Sequence, residues 1–131
     1  EEFADRCKQA GQLDSKMRYL TAPWVGLLEG GAWLTNAQLA NAAAARLERG
    51  FKTIPAIEVL GTRHANAVFV KMPMALAAGL RGRGWCFYDF IGSGGCRFMC
   101  SWATTDADID AVLSDAREIA LTVFSAPGSP G

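Results

Sequence analysis

The densest group of chemically capable side chains lies in residues 96–102, which read Cys-Arg-Phe-Met-Cys-Ser-Trp. A Cys-x3-Cys pair resembles half of a zinc site, but the other half is missing. His64 is the single histidine, and Cys7 and Cys86 have no ligand-like spacing. The sequence therefore predicts no metal site, and we interpret the cysteines as small buried apolar residues.

Two arginines are suited to binding an anion. Arg97 lies at the start of this segment among apolar residues, and a planar guanidinium matches a carboxylate or a phosphate. Arg18 follows Ser-Lys-Met near the end of the first predicted helix. Each has an ordinary alternative, namely a surface ion pair for Arg97 and a favourable interaction with the helix dipole for Arg18. On residue types alone, the ordinary alternatives are favoured.

The remaining polar motifs indicate structure rather than catalysis. Residues 81–84, Arg-Gly-Arg-Gly, fit a helix C-terminus with favourable cations and a glycine cap. Asp106, Asp108 and Asp110 fall at a helix start, where acidic side chains complement the dipole. His64 lies in a turn. No nucleophile has a credible base, so the residues define no catalytic centre.

The elements that position these residues follow from hydrophobic periodicity. The pattern predicts helices over 2–20, 24–28, 36–50 and 73–81, with Thr35 or Asn36 capping the third. It predicts strands over 57–60, 67–70, 85–91 and 96–102, the last two joined by the glycine-rich residues 92–95, and a final helix from about 105. Within residues 96–102, alternation places Cys96, Phe98, Cys100 and Trp102 on one face.

Short strands joined by tight turns favour an antiparallel sheet. The fold class is therefore α+β, with a small antiparallel sheet and helices packed on one side, in the order helices-ββ-α-ββ-α. We divide the chain into an N-terminal helical segment (1–34), a small α+β domain (35–124) and a flexible tail (125–131).

Composition excludes several classes of function. The 13 basic and 13 acidic residues cancel, whereas neutralising nucleic-acid phosphates requires a basic surplus. No apolar stretch approaches the roughly 20 residues that a membrane helix needs. The first residues carry no signal peptide, and the four cysteines are few. We therefore expect no nucleic-acid or membrane partner and a reducing, cytoplasmic location.

Four ordered blocks resemble the low-specificity L-threonine aldolases. They are residues 6–18 (RCKQAGQLDSKMR), 39–47, 65–70 and 87–102, and the likeness extends over about residues 3–121. The resemblance implies the C-terminal domain of an enzyme similar to aspartate aminotransferase. Such enzymes use pyridoxal phosphate to cleave threonine or allo-threonine to glycine and acetaldehyde. It also implies that Arg18 and Arg97 bind the substrate carboxylate.

The resemblance also shows what this chain lacks. The family's cofactor lysine lies in a Gly-Thr-Lys-type segment, which is not found around Lys8, Lys16, Lys52 or Lys71. We therefore expect no cofactor bound covalently to this chain and no lyase activity from the chain alone. The resemblance allows an N-terminal cofactor domain to act in trans.

Two other interpretations remain open. The domain is alternatively a free-standing, non-catalytic binding or oligomerisation module, for which exposed tryptophans predict a homo-oligomer. A β-eliminating pyridoxal lyase of the same architecture is the weaker alternative.

Overall fold

The computed structural model describes residues 2–12, 14–90 and 95–125, apart from the side chains of Phe90, Phe124 and Ser125. The predicted glycine linker at 92–94 and the tail at 126–131 lie outside the described residues. The chain divides into two compact units, Glu1–Thr35 and Asn36–Gly131. The division predicted from the sequence, into a helical segment (1–34), a small α+β domain (35–124) and a flexible tail (125–131), stays a prediction.

The first unit contains two helices where the periodicity predicted one over residues 2–20. Helix α1 spans Glu2–Gln9 and helix α2 spans Met17–Glu29. Gly11 and Lys16 have φ angles of 72° and 59°, and this left-handed conformation is incompatible with a continuing right-handed helix. Gly11 is the residue that marks the break, because glycine adopts this conformation without steric cost.

Helix boundaries around Pro23 and Thr35 also differ from the prediction. Helix α2 continues through Pro23, although proline removes a backbone donor and usually interrupts a helix. Helix α3 spans Ala32–Phe51, so neither Thr35 nor Asn36 caps it. The Thr35 hydroxyl instead donates to the carbonyl of Gly31, the residue before the helix, at 3.4 Å. The chain turns at Gly31, whose φ is 65°.

The second unit has the predicted α+β order. After α3 come strands β1 and β2, helix α4, strands β3 and β4, and helix α5; their bounds are Glu58–Val59, Ala67–Lys71, Met74–Gly82, Tyr88–Phe90, Gly95–Met99 and Asp106–Ser125. The strands form one sheet in the order β1-β2-β4-β3, and every neighbouring pair is antiparallel. Pro73 precedes α4, where its missing N–H has no consequence. The predicted fold class is confirmed.

One face of the sheet and three helices enclose the core. Val68 and Val70 on β2 lie beside Phe98 and Cys96 on β4, and all four are buried. Helices α3, α4 and α5 close this face with buried side chains, among them Leu47, Phe51, Leu76, Leu80, Ile109, Val112 and Ala116. The opposite face carries half-buried and exposed side chains. Helices α3, α4 and α5 therefore pack on one side of the sheet, as predicted.

Strand β4 is shorter than the sequence indicated. It ends at Met99, so Trp102 leaves the alternating pattern and is 62% exposed instead of sharing the buried face. Cys96 and Cys100 are buried free thiols as expected, whereas Cys86 is exposed and Cys7 half-buried. The interpretation of all four cysteines as core residues was wrong for Cys86, which lies between α4 and β3.

The contact between α3 and α5 depends on a missing side chain. A Cβ atom at Gly50 would overlap the buried side chain of Leu113. We expect Gly50→Ala to lower the free energy of unfolding by about 1–3 kcal/mol, the usual cost of overpacking. Urea unfolding measures this change.

The matched control is Gly82→Ala at the end of α4, where a Cβ would meet no atom within 4 Å. This variant should be neutral or slightly more stable, because alanine favours helix over glycine. Equal stability of the two variants would contradict the close approach at Gly50.

Candidate carboxylate-binding site

Arg97 lies in the middle of a row of side chains on the open face of the sheet. On β4 it is the direct partner of Phe69 on β2 and of Tyr88 on β3. Direct partners in an antiparallel pair project from the same face. An arginine is thereby flanked by two aromatic residues on the open face, which is the side of the sheet opposite helices α3, α4 and α5. Alternation predicted which face Arg97 occupies, but not these neighbours, because strand pairing was unknown.

The guanidinium of Arg97 stands over the Tyr88 ring. Its Cζ atom is 5.1 Å from the ring centroid, within the range of a cation–π interaction. The Nε atom is buried and has no hydrogen-bond partner among the described residues. A buried donor without a partner is energetically costly.

Four arginines of this unit are paired with carboxylates, unlike Arg97. Arg46, Arg63, Arg81 and Arg83 each contact a carboxylate. In the described part of the chain, Arg97 forms no salt bridge. The ordinary alternative for Arg97, a surface ion pair, is therefore absent among these residues, and its charge is available to an anion.

Arg18 lies in the first turn of α2 and not in the last turn of a longer helix. The helix dipole is positive at that end, so it disfavours a cation there. The dipole interpretation of Arg18 was therefore wrong. The residue is exposed, and its Cζ atom is 5.2 Å from the ring centroid of Tyr19. Arg18 belongs to the first unit and Arg97 to the second, so their convergence on one carboxylate stays a prediction.

The acidic residues at the start of α5 have structural roles. Thr105 and Asp108 form a reciprocal cap: the Thr105 N–H donates to Asp108 Oδ2 at 2.8 Å and the Asp108 N–H donates to Thr105 Oγ1 at 3.1 Å. These bonds satisfy free donors of the first turn. Asp106 and Asp110 both pair with Arg46 on α3. Their placement at a helix start is as predicted.

The segment between α4 and β3 is fixed to α5 by Asp115. This carboxylate accepts hydrogen bonds from Trp85 Nε1 and from Arg83. These two contacts hold the pKa of Asp115 below its ordinary value. Arg83 also contacts Glu118. The sequence placed this arginine at a helix C-terminus, where it complements the dipole, and the structure adds ion pairs with two acidic residues of α5.

Asp115 should make stability depend on pH in a defined direction. A carboxyl with a lowered pKa in the folded state stabilises the fold above its unfolded pKa, and this contribution is lost as the pH falls through the folded value. We therefore expect the free energy of unfolding to decrease as the pH is lowered below about 4. Asp115→Asn should be less stable at neutral pH and lose less stability on acidification.

Urea titrations at neutral and acidic pH test this dependence, with Ser114→Ala as the control on the same helix. An Asp115→Asn variant whose loss on acidification equals that of the unsubstituted protein would contradict the assignment.

The two buried thiols are poorly suited to act as nucleophiles. Burial raises the pKa of Cys96 and of Cys100, which disfavours the reactive thiolate. Within the residues that the structure describes, no three His, Cys, Asp or Glu side chains group in a way that would hold a metal ion.

The fold is shared with parts of larger enzymes. A sphingosine-1-phosphate lyase of Burkholderia pseudomallei superposes with a TM-score of 0.54 at 18% identity, over 63% of this chain and 20% of that one. The cystine C–S lyase C-DES gives 0.55 at 18% identity, over 63% and 24%. The aminotransferase TlmJ of Streptoalloteichus hindustanus gives 0.53 at 15% identity, over 70% and 33%. At these identities the likeness defines the fold class alone.

Sequence similarity is much closer to one family. The chain is 52% identical over 119 residues to the low-specificity L-threonine aldolase of a Pseudomonas species, covering 91% of this chain and 34% of the relative. It is 49% identical over 123 residues to the enzyme of the same name from Pseudomonas aeruginosa, covering 94% and 35%. The chain is thus a homologue of the low-specificity L-threonine aldolases, as the four blocks predicted. It spans about a third of the length of these relatives. No protein-family model matches it.

Proposed function

We propose that this chain is the C-terminal part of an L-threonine aldolase and that it contributes Arg18 and Arg97 to binding the substrate carboxylate. The observation that carries the proposal is the identity of about half over nine-tenths of the chain. The free charge of Arg97 on the open sheet face supports the role of that residue. In the complete enzyme the reaction would be cleavage of threonine to glycine and acetaldehyde.

Arginine suits this role because its planar group forms two parallel hydrogen bonds with a carboxylate. Holding the carboxylate fixes the other substituents of the substrate Cα atom, so that the bond to be broken keeps one orientation. Arg18 in the first turn of α2 would add a second positive group. In this proposal the chain binds and orients substrate and does not transfer the proton.

The lysines of this chain do not fit a pyridoxal phosphate site. A lysine that forms a Schiff base with the cofactor is activated by desolvation or by a neighbouring cation. All four lysines are exposed: Lys8, Lys16, Lys52 and Lys71. Lys52 also forms an ion pair with Glu48 at 2.5 Å. We propose that the rest of the aldolase holds the cofactor, which supplies an electron sink when bound, and that the chain alone has no lyase activity.

The test uses a hybrid aldolase, defined as the Pseudomonas aeruginosa relative with its matching segment replaced by this chain. We expect the hybrid aldolase to release acetaldehyde from L-threonine, and the separate chain, mixed with pyridoxal phosphate, to release none. Acetaldehyde from the chain alone would overturn the proposal that the cofactor is held by the rest of the aldolase. A keto acid as the product of the hybrid would favour the β-eliminating alternative.

A second candidate function, a non-catalytic oligomerisation module, is favoured by helix α2. None of its residues is buried, and the i, i+3, i+7, i+11 spacing of Met17, Leu20, Trp24 and Leu28 places them on one stripe. All four side chains are exposed, Trp24 by 64%. No helix among the described residues is long and apolar enough to cross a membrane. An exposed apolar stripe of this kind favours a protein partner.

Under this second candidate the chain forms a homodimer or a larger oligomer at micromolar concentration. Sedimentation velocity measures the assembly, and Trp24→Lys should shift it towards monomer. His64→Ala, an exposed change outside the stripe, serves as the control. A monomer at every concentration would rule the module out.

We propose a reducing, cytoplasmic location for either function, since all four cysteines are free.

A further inference from the structure

We propose that Tyr88 is a positioning residue for Arg97, and that its ring orients the guanidinium so that the two terminal NH2 groups face the carboxylate. The inference rests on the proposed role of Arg97 and names a residue that this role requires. Tyr88 does not itself bind the substrate in this account.

The position of Tyr88 follows from strand pairing. Tyr88 on β3 and Arg97 on β4 are direct partners in the sheet, so their side chains leave the same face next to each other. The Cζ atom of Arg97 lies 5.1 Å from the Tyr88 ring centroid. The ring is 67% exposed, so its contribution to the hydrophobic core is small, while its face is in contact with Arg97.

The state of the Arg97 side chain specifies which of its atoms meet the ligand. Nε is enclosed and has no partner among the described residues. A carboxylate approaching from solvent therefore meets Nη1 and Nη2 and not the Nε edge. Without the ring, the guanidinium would lose the contact that orients it on this side, and binding would lose the part of its affinity that comes from a fixed orientation.

The first experiment follows the Arg97 Nε–H signal by NMR in the 131-residue chain. Tyr88→Leu should speed its exchange with solvent roughly two- to fivefold, the factor expected for loss of a cation–π contact at an exposed ring. Tyr88→Phe keeps the ring and should leave the exchange rate unchanged. Met99→Leu, an exposed change on the same face of β4, is the control for a general disturbance of the sheet.

The second experiment measures kinetics in the hybrid aldolase. Tyr88→Leu should raise KM for L-threonine by roughly the same two- to fivefold at unchanged kcat, and Tyr88→Phe should match the unsubstituted hybrid. Unchanged exchange and KM in Tyr88→Leu would overturn the proposal. So would equal effects of the Leu and Phe variants, since the hydroxyl would then matter and not the ring.

The two experiments separate this inference from the function on which it rests. An inactive hybrid would remove the aldolase assignment, while the Nε–H signal still reports whether Tyr88 holds Arg97. If the hybrid is active but Tyr88→Leu changes neither the exchange rate nor KM, only the positioning role of Tyr88 is rejected. Thermal unfolding of each variant shows whether the domain is folded.

Discussion

In the hybrid aldolase, Arg97→Ala should lower kcat/KM for L-threonine by about 30- to 4000-fold. This range corresponds to the 2–5 kcal/mol or so lost when one member of a hydrogen-bonded charge pair is removed. The substrate carboxylate would then be held without its planar partner on the open sheet face. Because Arg97 has no salt bridge among the described residues, removing it should leave no acidic group of the domain uncompensated. Initial rates of acetaldehyde release measure the effect.

Arg97→Lys is the informative control for this loss. Lysine keeps the charge but cannot form the two parallel hydrogen bonds of a guanidinium. We expect an intermediate kcat/KM, with unchanged thermal stability in both variants. If Arg97→Ala has the rate of the unsubstituted hybrid, Arg97 does not bind the carboxylate.

Phe51→Ala should produce the largest loss of stability in the domain. Phe51 at the end of α3 is fully buried, and its ring meets that of Phe98 edge-on with centroids 5.0 Å apart. Removing a buried phenylalanine costs about 3–5 kcal/mol through lost transfer energy and the cavity left behind. This is a large part of the roughly 5–15 kcal/mol that stabilises a typical domain.

Urea unfolding followed by circular dichroism measures this loss. Leu121→Ala on α5 is the control, because the side chain is 68% exposed and its removal should change stability by less than about 0.5 kcal/mol. A Phe51→Ala variant as stable as this control would contradict the position of Phe51 in the core.

The order of elements in the second unit was predictable because each pattern is local. The short runs of β-type residues in 67–70 and 96–102 and the three- to four-residue periodicity after residue 105 correspond to β2, β4 and α5. Sheet order depends on contacts between distant residues, which one sequence does not display. The pairing of β4 with both β2 and β3, and hence the neighbours of Arg97, came only from the structure.

Errors in the first unit have a different physical origin. The apolar spacing in residues 2–20 is compatible with one continuous helix, but Gly11 and Lys16 adopt the left-handed backbone conformation. Glycine at position 11 was a visible signal, whereas left-handed lysine is rarely predictable. The misplaced helix end also put Arg18 in a last turn, where a cation is favoured, instead of a first turn, where it is not. Correcting that boundary removed the ordinary explanation for Arg18.

The central claim is that Arg18 and Arg97 hold one carboxylate, and a double-mutant cycle in the hybrid aldolase tests it most directly. Values of kcat/KM for L-threonine are compared among Arg18→Ala, Arg97→Ala, the double variant and the unsubstituted hybrid. Residues that share one ligand are coupled, so the double variant should lose much less than the product of the two single losses. Two independent, multiplicative effects, or no effect at Arg18, would contradict a shared carboxylate.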